Sequence, residues 1–503
     1  MGQVLTNALL CDLDPPRVET GALRIDAGRI VGRGPTVASQ PGDEVVDCGG
    51  AVVLPGLVNG HTHVYSALAV GMPPPPKAPQ NFLEILKFVW WRLDRALDAE
   101  AIELSARIGA LEALRCGTTT LIDHHASPSC IKGALDLVQK GIADVGLRGV
   151  LCYETTDRHG PDGRAAGIEE NRRFLERCSN ARDGRISALV GAHASFTLED
   201  EVLEQLATLA DDFDTGVHIH VAEDPCDEED CQHRYQMFLV DRLAAYGLLR
   251  PESVFAHCTR LDGLAVAKVN QIGATVAHNP RSNMNNAVGY APVAAFRCPV
   301  MLGTDGIGGD LFAEAKAAWL ISRHEQAGLG GPVETSTRAA DFSARGDAVR
   351  SEPGAAATGL DARAGREAAG GSAPSPLTSV RGSDARGSLV ASDALTPTQI
   401  VGMLAGGARR ASQSLGVTLG KLEAGAAADI VVTDYVPFTP LTSENLPGHI
   451  LFGLSSNRVR SVLVDGQWRL RDRIVRACDE QAERAHAREA AQRLWQRMAE
   501  VPA

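Results

Sequence analysis

The sequence predicts an α/β fold, a (β/α)8 TIM-like barrel with a small β-sandwich domain built from both termini. Three observations predict it. Between about residues 57 and 330, short apolar runs alternate with amphipathic stretches, as in TTTLID then IKGALDLVQKGIADVG, and SALVGAHAS then LEDEVLEQLATLADD. Repeats of that kind imply a parallel sheet with crossover helices, and this many favour closure into a barrel. The chain ends read differently: LRIDAGRIVGRG and EVVDCGGAVVLPG near the start, and ADIVVTDY and VRSVLVDGQWRL near the end, are strand-type runs with glycine turns. Finally, histidine and acidic residues close several apolar runs in turn, at the strand ends where a barrel gathers its active site.

The elements follow in order. Residues 1–56 are expected to supply the N-terminal part of the composite β domain, and 57–415 the barrel. Residues 331–395 break the pattern, being rich in Ala, Gly, Ser, Arg and Asp with Phe342 as their one aromatic residue. So few large apolar groups cannot offset the entropy of ordering, so a disordered insertion is expected ahead of an active-site lid. The helix-like TPTQIVGMLAGGARRASQSLG resumes the barrel pattern. Residues 416–478 should complete the β domain, and 479–503 should form a C-terminal helix packed through Leu494, Trp495 and Met498.

Composition narrows the function class. The 503 residues carry 49 basic and 62 acidic side chains, a net charge of −13. That balance argues against nucleic-acid and anionic-membrane partners. No apolar run approaches the roughly 20 residues of a membrane span, and the opening MGQVLTNALLCDLDPP does not read as a secretion signal. The 11 cysteines are scattered without CxxC pairs, the pattern of reduced thiols in a cytoplasmic enzyme.

The strongest chemical signal is LPGLVNGHTH, in which His61 and His63 point to one face of a strand because side chains alternate with period two. Two imidazoles at a strand's end make half of a divalent-metal site. In GVHIHVAED, His220 and Glu223 give a third imidazole beside a carboxylate, a ligand with an adjacent proton carrier. His218 shares the face of His220, and a structural or deeper place is expected for it. His257 closes VFAHC, and Asp305 follows VMLGT. A lone Asp before Gly is usually a turn residue, but four such events in order, each closing a strand, point to one site.

Together these segments resemble the amidohydrolase superfamily. LPGLVNGHTH, HVAE, AHNPRSNM from Ala277 and LGTDG are similar to the branch holding guanine deaminase, adenosine-type deaminases and triazine hydrolases. WWRLDRAL, TTTLIDHHASPS, GAHASFTL and GAAADIVVTDY most resemble the SsnA-type aminohydrolases. The resemblance covers most of the chain outside the insertion. It implies His61, His63, His220 and Asp305 as ligands of one divalent ion, Zn2+ ahead of Fe2+ or Mn2+. It implies Glu223 as proton shuttle and His257 as the group that polarises the substrate. Binuclear relatives use a bridging lysine from the fourth strand; here ALVGAHAS presents His193, facing the substrate.

Further substrate contacts are proposed for His125, Trp90 and Glu84, each with a bland alternative in packing or solvation. Trp91 and Phe196 could add flat apolar walls, and His278 and Asn283 are expected to shape the loop near the metal. The expected chemistry is metal-assisted deamination of a small nitrogen heterocycle, purine- or pterin-like, with Asp305 and Glu223 handling protons. Hydrolytic dehalogenation or opening of a cyclic amide uses the same metal site. A catalytically silent binding protein would show a lost ligand or shuttle, and all six positions are filled. Analogy with related enzymes suggests a homo-oligomer.

Overall fold

A computed structural model describes residues 2–328 and 394–502. The low-complexity segment 331–395 therefore lies outside the described residues, apart from its last two positions.

Eight parallel strand positions form the barrel: β6 (Leu57–Thr62), β7 (Thr118–His125), β8 (Arg148–Tyr153), β9 with β10 (Ile186–Ala188 and Val190–Ala194, one position broken at Leu189), β11 (Val217–Val221), β12 (Val254–His257), β13 (Thr275–His278) and β14 (Val300–Leu302). Pairing runs β6-β7-β8-β9 and β10-β11-β12-β13-β14. Parallel bridges Thr155↔Ala192 and Thr62↔Asp305 join the two sheets and close the ring. Every residue of β6, β7, β8 and β11 is buried, as expected of strands with helices outside and side chains filling the interior.

The sequence sets the ends of the intervening helices. Asp98 caps Ala99–Arg115 by accepting from the Ala101 N–H, and Asp262 caps Gly263–Ile272 through the Ala265 N–H. Gly146 ends Ala134–Val145 in the left-handed region, the usual place for glycine. The N-terminal floor of the barrel holds Val58, Ile122, Val150, Val254, Ala277 and Met301. Beneath it lies the helix Pro397–Leu415, opened by a Thr396/Gln399 capping box. Its Gly406 and Gly407 are required by contact: an added Cβ would stand 2.3 Å from the Val300 carbonyl oxygen and 2.6 Å from that of Val58.

Both chain ends enter one nine-stranded sheet, with β1 to β5 from residues 3–55 and β15 to β18 from residues 430–475. Its strands are β1 (Gln3–Leu13), β2 (Pro16–Asp26), β3 (Arg29–Gly34), β4 (Glu44–Asp47), β5 (Val52–Pro55), β15 (Ile430–Thr433), β16 (Val459–Val464), β17 (Gln467–Arg471) and β18 (Ile474–Val475). The two halves meet where β15 pairs antiparallel with β5, Val431 opposite Leu54. The last helix, Glu480–Glu500, buries Leu494 and Met498, while the half-buried Trp495 donates its Nε1–H to the Leu68 carbonyl at 2.9 Å. No helix among the described residues is long and apolar enough to cross a membrane. All eleven cysteines are unpaired.

Candidate active site

Barrel geometry carries the sequence-predicted residues to one mouth. His61 lies within β6 and His63 just past it, His220 lies near the end of β11, and His257 closes β12. Glu223 and Asp305 follow β11 and β14. Three neighbouring positions hold left-handed backbone: Ala222 at φ 47°, His257 at φ 71° and Asp305 at φ 52°. Side chains other than glycine seldom adopt that conformation, and such strain gathers at sites whose surroundings enforce it.

Three imidazoles are fixed from behind. His220 donates Nδ1–H to the His193 carbonyl oxygen at 2.8 Å, and His63 donates Nδ1–H to that of His124 at 2.6 Å. His61 Nδ1 stands 2.8 Å from His218 Nε2, while His218 Nδ1 lies 3.7 Å from the Cys152 sulfur. His218 thus sits behind His61. With Nδ1 committed in each ring, Nε2 carries the lone pair toward the mouth, the orientation outer partners impose on metal-ligating histidines.

The inward atoms fit a cation. His63 Nε2 lies 3.2 Å from His220 Nε2 and 2.9 Å from Asp305 Oδ1, and His61 Nε2 lies 3.5 Å from the same oxygen. Four ligands at ~2.0–2.1 Å around a tetrahedral zinc would stand about 3.3 Å apart. The Nε2 atoms of His61 and His257 are buried without a hydrogen-bond partner, an arrangement that costs free energy unless something occupies the space between them. Burial, then the neighbouring imidazoles, hold His220 well below its ordinary value, so it is neutral. Burial opposes charging of His63 as well, but the hydrogen bond and charge of Asp305, with Glu154 and Asp123, push it up to about 10.

Two overlapping groups of donor atoms lie within 4.8 Å of one another: His61, His63, His124 and His220, and His61, His220, His257 and Asp305. His124 was not anticipated. Its Nδ1 is 3.2 Å from Glu154 Oε1 but off the hydrogen-bonding direction, leaving both ring nitrogens unpartnered. Unlike the other three imidazoles, it has no outer partner to aim it.

One short helix, Pro280–Asn285, and the residue after it hold three of the site groups. The Ser282 hydroxyl donates to Asp305 Oδ2. Asn283 Oδ1 accepts from His257 Nδ1–H at 2.8 Å, and Asn286 donates to Glu223 Oε1 at 3.3 Å. His257 Nε2 is left 3.5 Å from Glu223 Oε2. Burial, with the charge of Asp305 and against that of His257, pushes Glu223 up to about 7, where a carboxyl group can both give and take a proton at neutral pH.

A narrow cavity opens above these groups. Phe82, Leu86, Trp90, Trp91 and Phe196 form its apolar walls; His193, Glu154, Asp94 and Arg158 are its polar features. Arg158 stacks over the Trp91 ring at 4.4 Å and lies 3.2 Å from Asp94 Oδ2. His193 and Trp90 therefore stand where substrate contacts were expected. His125 and Glu84 do not line the cavity. His125 turns the other way, with Nε2 3.0 Å from the Ser127 hydroxyl. Glu84 faces Lys77 and the Gln80 N–H, both at 2.8 Å, on the outer surface. His278 lies beneath the loop, its ring edge-on to Tyr290. Glu154, Asp94, Arg158, Ser282 and Asn286 escaped the sequence reading, since a buried charge or a hydroxyl one turn along a loop leaves no periodic trace.

The profile of the amidohydrolase family matches residues 52–374. A 5'-deoxyadenosine deaminase of Methanosarcina barkeri is 27% identical over 504 residues, covering 98% of this chain and 99% of that protein. One from Methanothermobacter thermautotrophicus is 30% identical over 318 residues, 62% of this chain and 72% of that one. Among solved structures, a zinc-bound adenosine deaminase from Xanthomonas campestris superposes with TM-score 0.74 at 20% identity, over 98% of each chain. An atrazine chlorohydrolase from Arthrobacter aurescens, solved with zinc, gives 0.72 at 19% identity, over 97% of this chain and all of that one.

Proposed function

Because the chain belongs to the amidohydrolase family, we propose that it is a metal-dependent aminohydrolase releasing ammonia from a planar, purine- or pterin-like nitrogen heterocycle. The observation that carries this reading is the convergence of three imidazoles tethered from behind with Asp305, three of their contacts lying between 2.9 and 3.5 Å, beside the Glu223–His257 pair. His61, His63, His220 and Asp305 would hold one divalent ion, zinc in the first instance. When bound, such an ion supplies Lewis acidity that makes water nucleophilic at neutral pH.

The chain's own residues do the rest. Asp305, its Oδ2 held by Ser282, accepts a proton from the attacking water. Glu223, anchored by Asn286, delivers one to the ring nitrogen beside the carbon under attack. His257, its Nδ1–H committed to Asn283, turns Nε2 toward the substrate beside Glu223. The balance is simple: water adds across the carbon–nitrogen bond, the amine leaves as ammonia, and a ring carbonyl remains. Trp90, Trp91 and Phe196 offer flat walls for the ring, and His193 a polar anchor.

An adenosine-type ring heads the panel because the relatives named above are deoxyadenosine deaminases. The test is a coupled ammonia assay over aminopurines and their nucleosides, aminopterins and aminotriazines, with metal-analysed protein. Turnover of one class supports the reading. Silence across the panel, with hydrolysis of a halogenated ring or a cyclic amide, would replace the leaving group and keep the site. The acidic chain with unpaired thiols suits a cytoplasmic enzyme of small molecules, and light scattering would test a homo-oligomeric state.

A further inference from the structure

At the opposite end of the barrel lies a second cavity, of about 710 Å³, within the range of small-molecule sites. It is lined by the residues that lead into β9, β11 and β12, among them Gly184, Thr215 and Glu252, and by the last turns of the helix Pro397–Leu415. Arg410 reaches it from that helix and is 95% buried, at 5% relative exposure. Its guanidinium donates to Gln413 Oε1 at 3.0 Å and Ser414 Oγ at 3.1 Å, both neutral and both lining the same cavity. Its Nε is buried with no partner. No carboxylate among the described residues pairs with it, and Glu252 contributes only at longer range.

Among the other buried arginines of the described residues, Arg148 is paired with Asp429 and Arg242 with Asp200, while Arg92 gives its Nε–H and a terminal N–H to the Val501 and Met498 carbonyl oxygens. Arg410 alone of the four keeps its Nε buried and unpartnered. A buried guanidinium without a counter-charge is costly, and its planar fork matches carboxylate and phosphate oxygens. We propose that this cavity is a binding site for a small organic anion, whose carboxylate or phosphate group pairs with Arg410. Gln413 and Ser414 orient the fork, and the rim carries Arg182 together with Asp214, so Arg410 is the cation the site relies on. The site is separate from the catalytic mouth, which opens at the other end of the strands.

The test uses the full-length protein. Inorganic phosphate and succinate are titrated separately by calorimetry at constant ionic strength, with chloride as control. Saturable binding is expected for at least one, weakened tenfold or more in Arg410→Gln and unchanged in Glu223→Gln. Preference between the two probes distinguishes a phosphate from a carboxylate ligand. Should Arg410→Gln fail to fold, diffraction from wild-type crystals grown with arsenate locates the anion by anomalous scattering. A peak beside the guanidinium supports the site. No saturable binding of either probe, binding indifferent to Arg410→Gln, or an arsenate peak only elsewhere would overturn it.

Discussion

His63 and His220 face each other nitrogen to nitrogen, Nε2 to Nε2 at 3.2 Å, while each gives its Nδ1–H to a carbonyl oxygen behind it. Two lone pairs do not stay at that distance without a positive charge nearby. Burial opposes a charge there, but Asp305, with Glu154 and Asp123, favours a positive one and pushes His63 up to about 10. The same pocket therefore accommodates either a proton or a cation.

Metal binding should consequently release a proton. At pH 8, below the raised value of His63, loading one equivalent of zinc should liberate close to one proton from this residue. Calorimetry in buffers of differing ionisation enthalpy measures it, and elemental analysis should give one ion per chain. Binding with no proton release, or two tightly held ions, would break this account of the ligands.

Replacing Glu223 by Gln should retain the ion, because the carboxylate is no part of the inward donor set, and should reduce turnover by about 10²- to 10⁴-fold. The wild-type pH profile carries a second check. A carboxyl group pushed up to about 7 by burial delivers a proton only in its acid form. Thus kcat/KM should fall as pH rises through that value, or through a lower one once a bound cation offsets Asp305. A rate that climbs steadily between pH 6 and 8 would assign Glu223 a different task.

The positions of these groups were legible in the sequence to unequal degrees. Strand-closing residues such as His61, His63, His220 and Asp305 could be placed because a parallel barrel fixes which strand end faces the mouth. The phase of β7 could not be read in this way. All eight of its residues are buried, so alternation gives no sign of which of His124 and His125 faces inward; Ile122, in the barrel interior, selects His124. Glu154 lies just past β8 and was invisible for a related reason: burial makes it matter, and burial at a strand's end is a property of the assembled ring. The 3.2 Å Arg158–Asp94 contact joins segments 64 residues apart, beyond any local pattern.

Stability should hinge on a contact between the barrel and the terminal sheet. Arg148, at the start of β8, makes two hydrogen bonds to Asp429, just before β15, at 2.8 and 3.0 Å, with both side chains 2% exposed. Asp429→Ala leaves a buried guanidinium without its main partner and should cost about 3–5 kcal/mol. The double change Arg148→Met with Asp429→Leu should cost less than Asp429→Ala alone, since no buried charge remains. Denaturant unfolding decides it; a single variant within 1 kcal/mol of wild type, roughly the spread of surface changes, would make the pair incidental.

The last prediction concerns the wall that would select the ring. Trp91 is braced on one side by the Arg158 guanidinium, 4.4 Å from its ring, and flanked edge-on by His193 at 6.4 Å. A braced indole has little freedom to lose when a flat substrate stacks on it, so its contact energy should appear as affinity. Stacking of a base on an aromatic side chain is worth about 1–3 kcal/mol, roughly 5- to 150-fold in KM. Trp91→Ala should raise KM by that factor with kcat changed little, because the residue reaches neither the inward ligand atoms nor Glu223. Trp91→Phe, which keeps a flat face, should recover most of the loss. Arg158→Met should act more weakly in the same direction, since it removes the brace and leaves Asp94, pushed up to about 6 by burial even beside its arginine, to protonate. Steady-state kinetics on the substrate found by the ammonia panel separates the outcomes. A fall in kcat at constant KM would place Trp91 in the chemistry, and an unchanged Trp91→Ala enzyme would show that the ring is held by another wall.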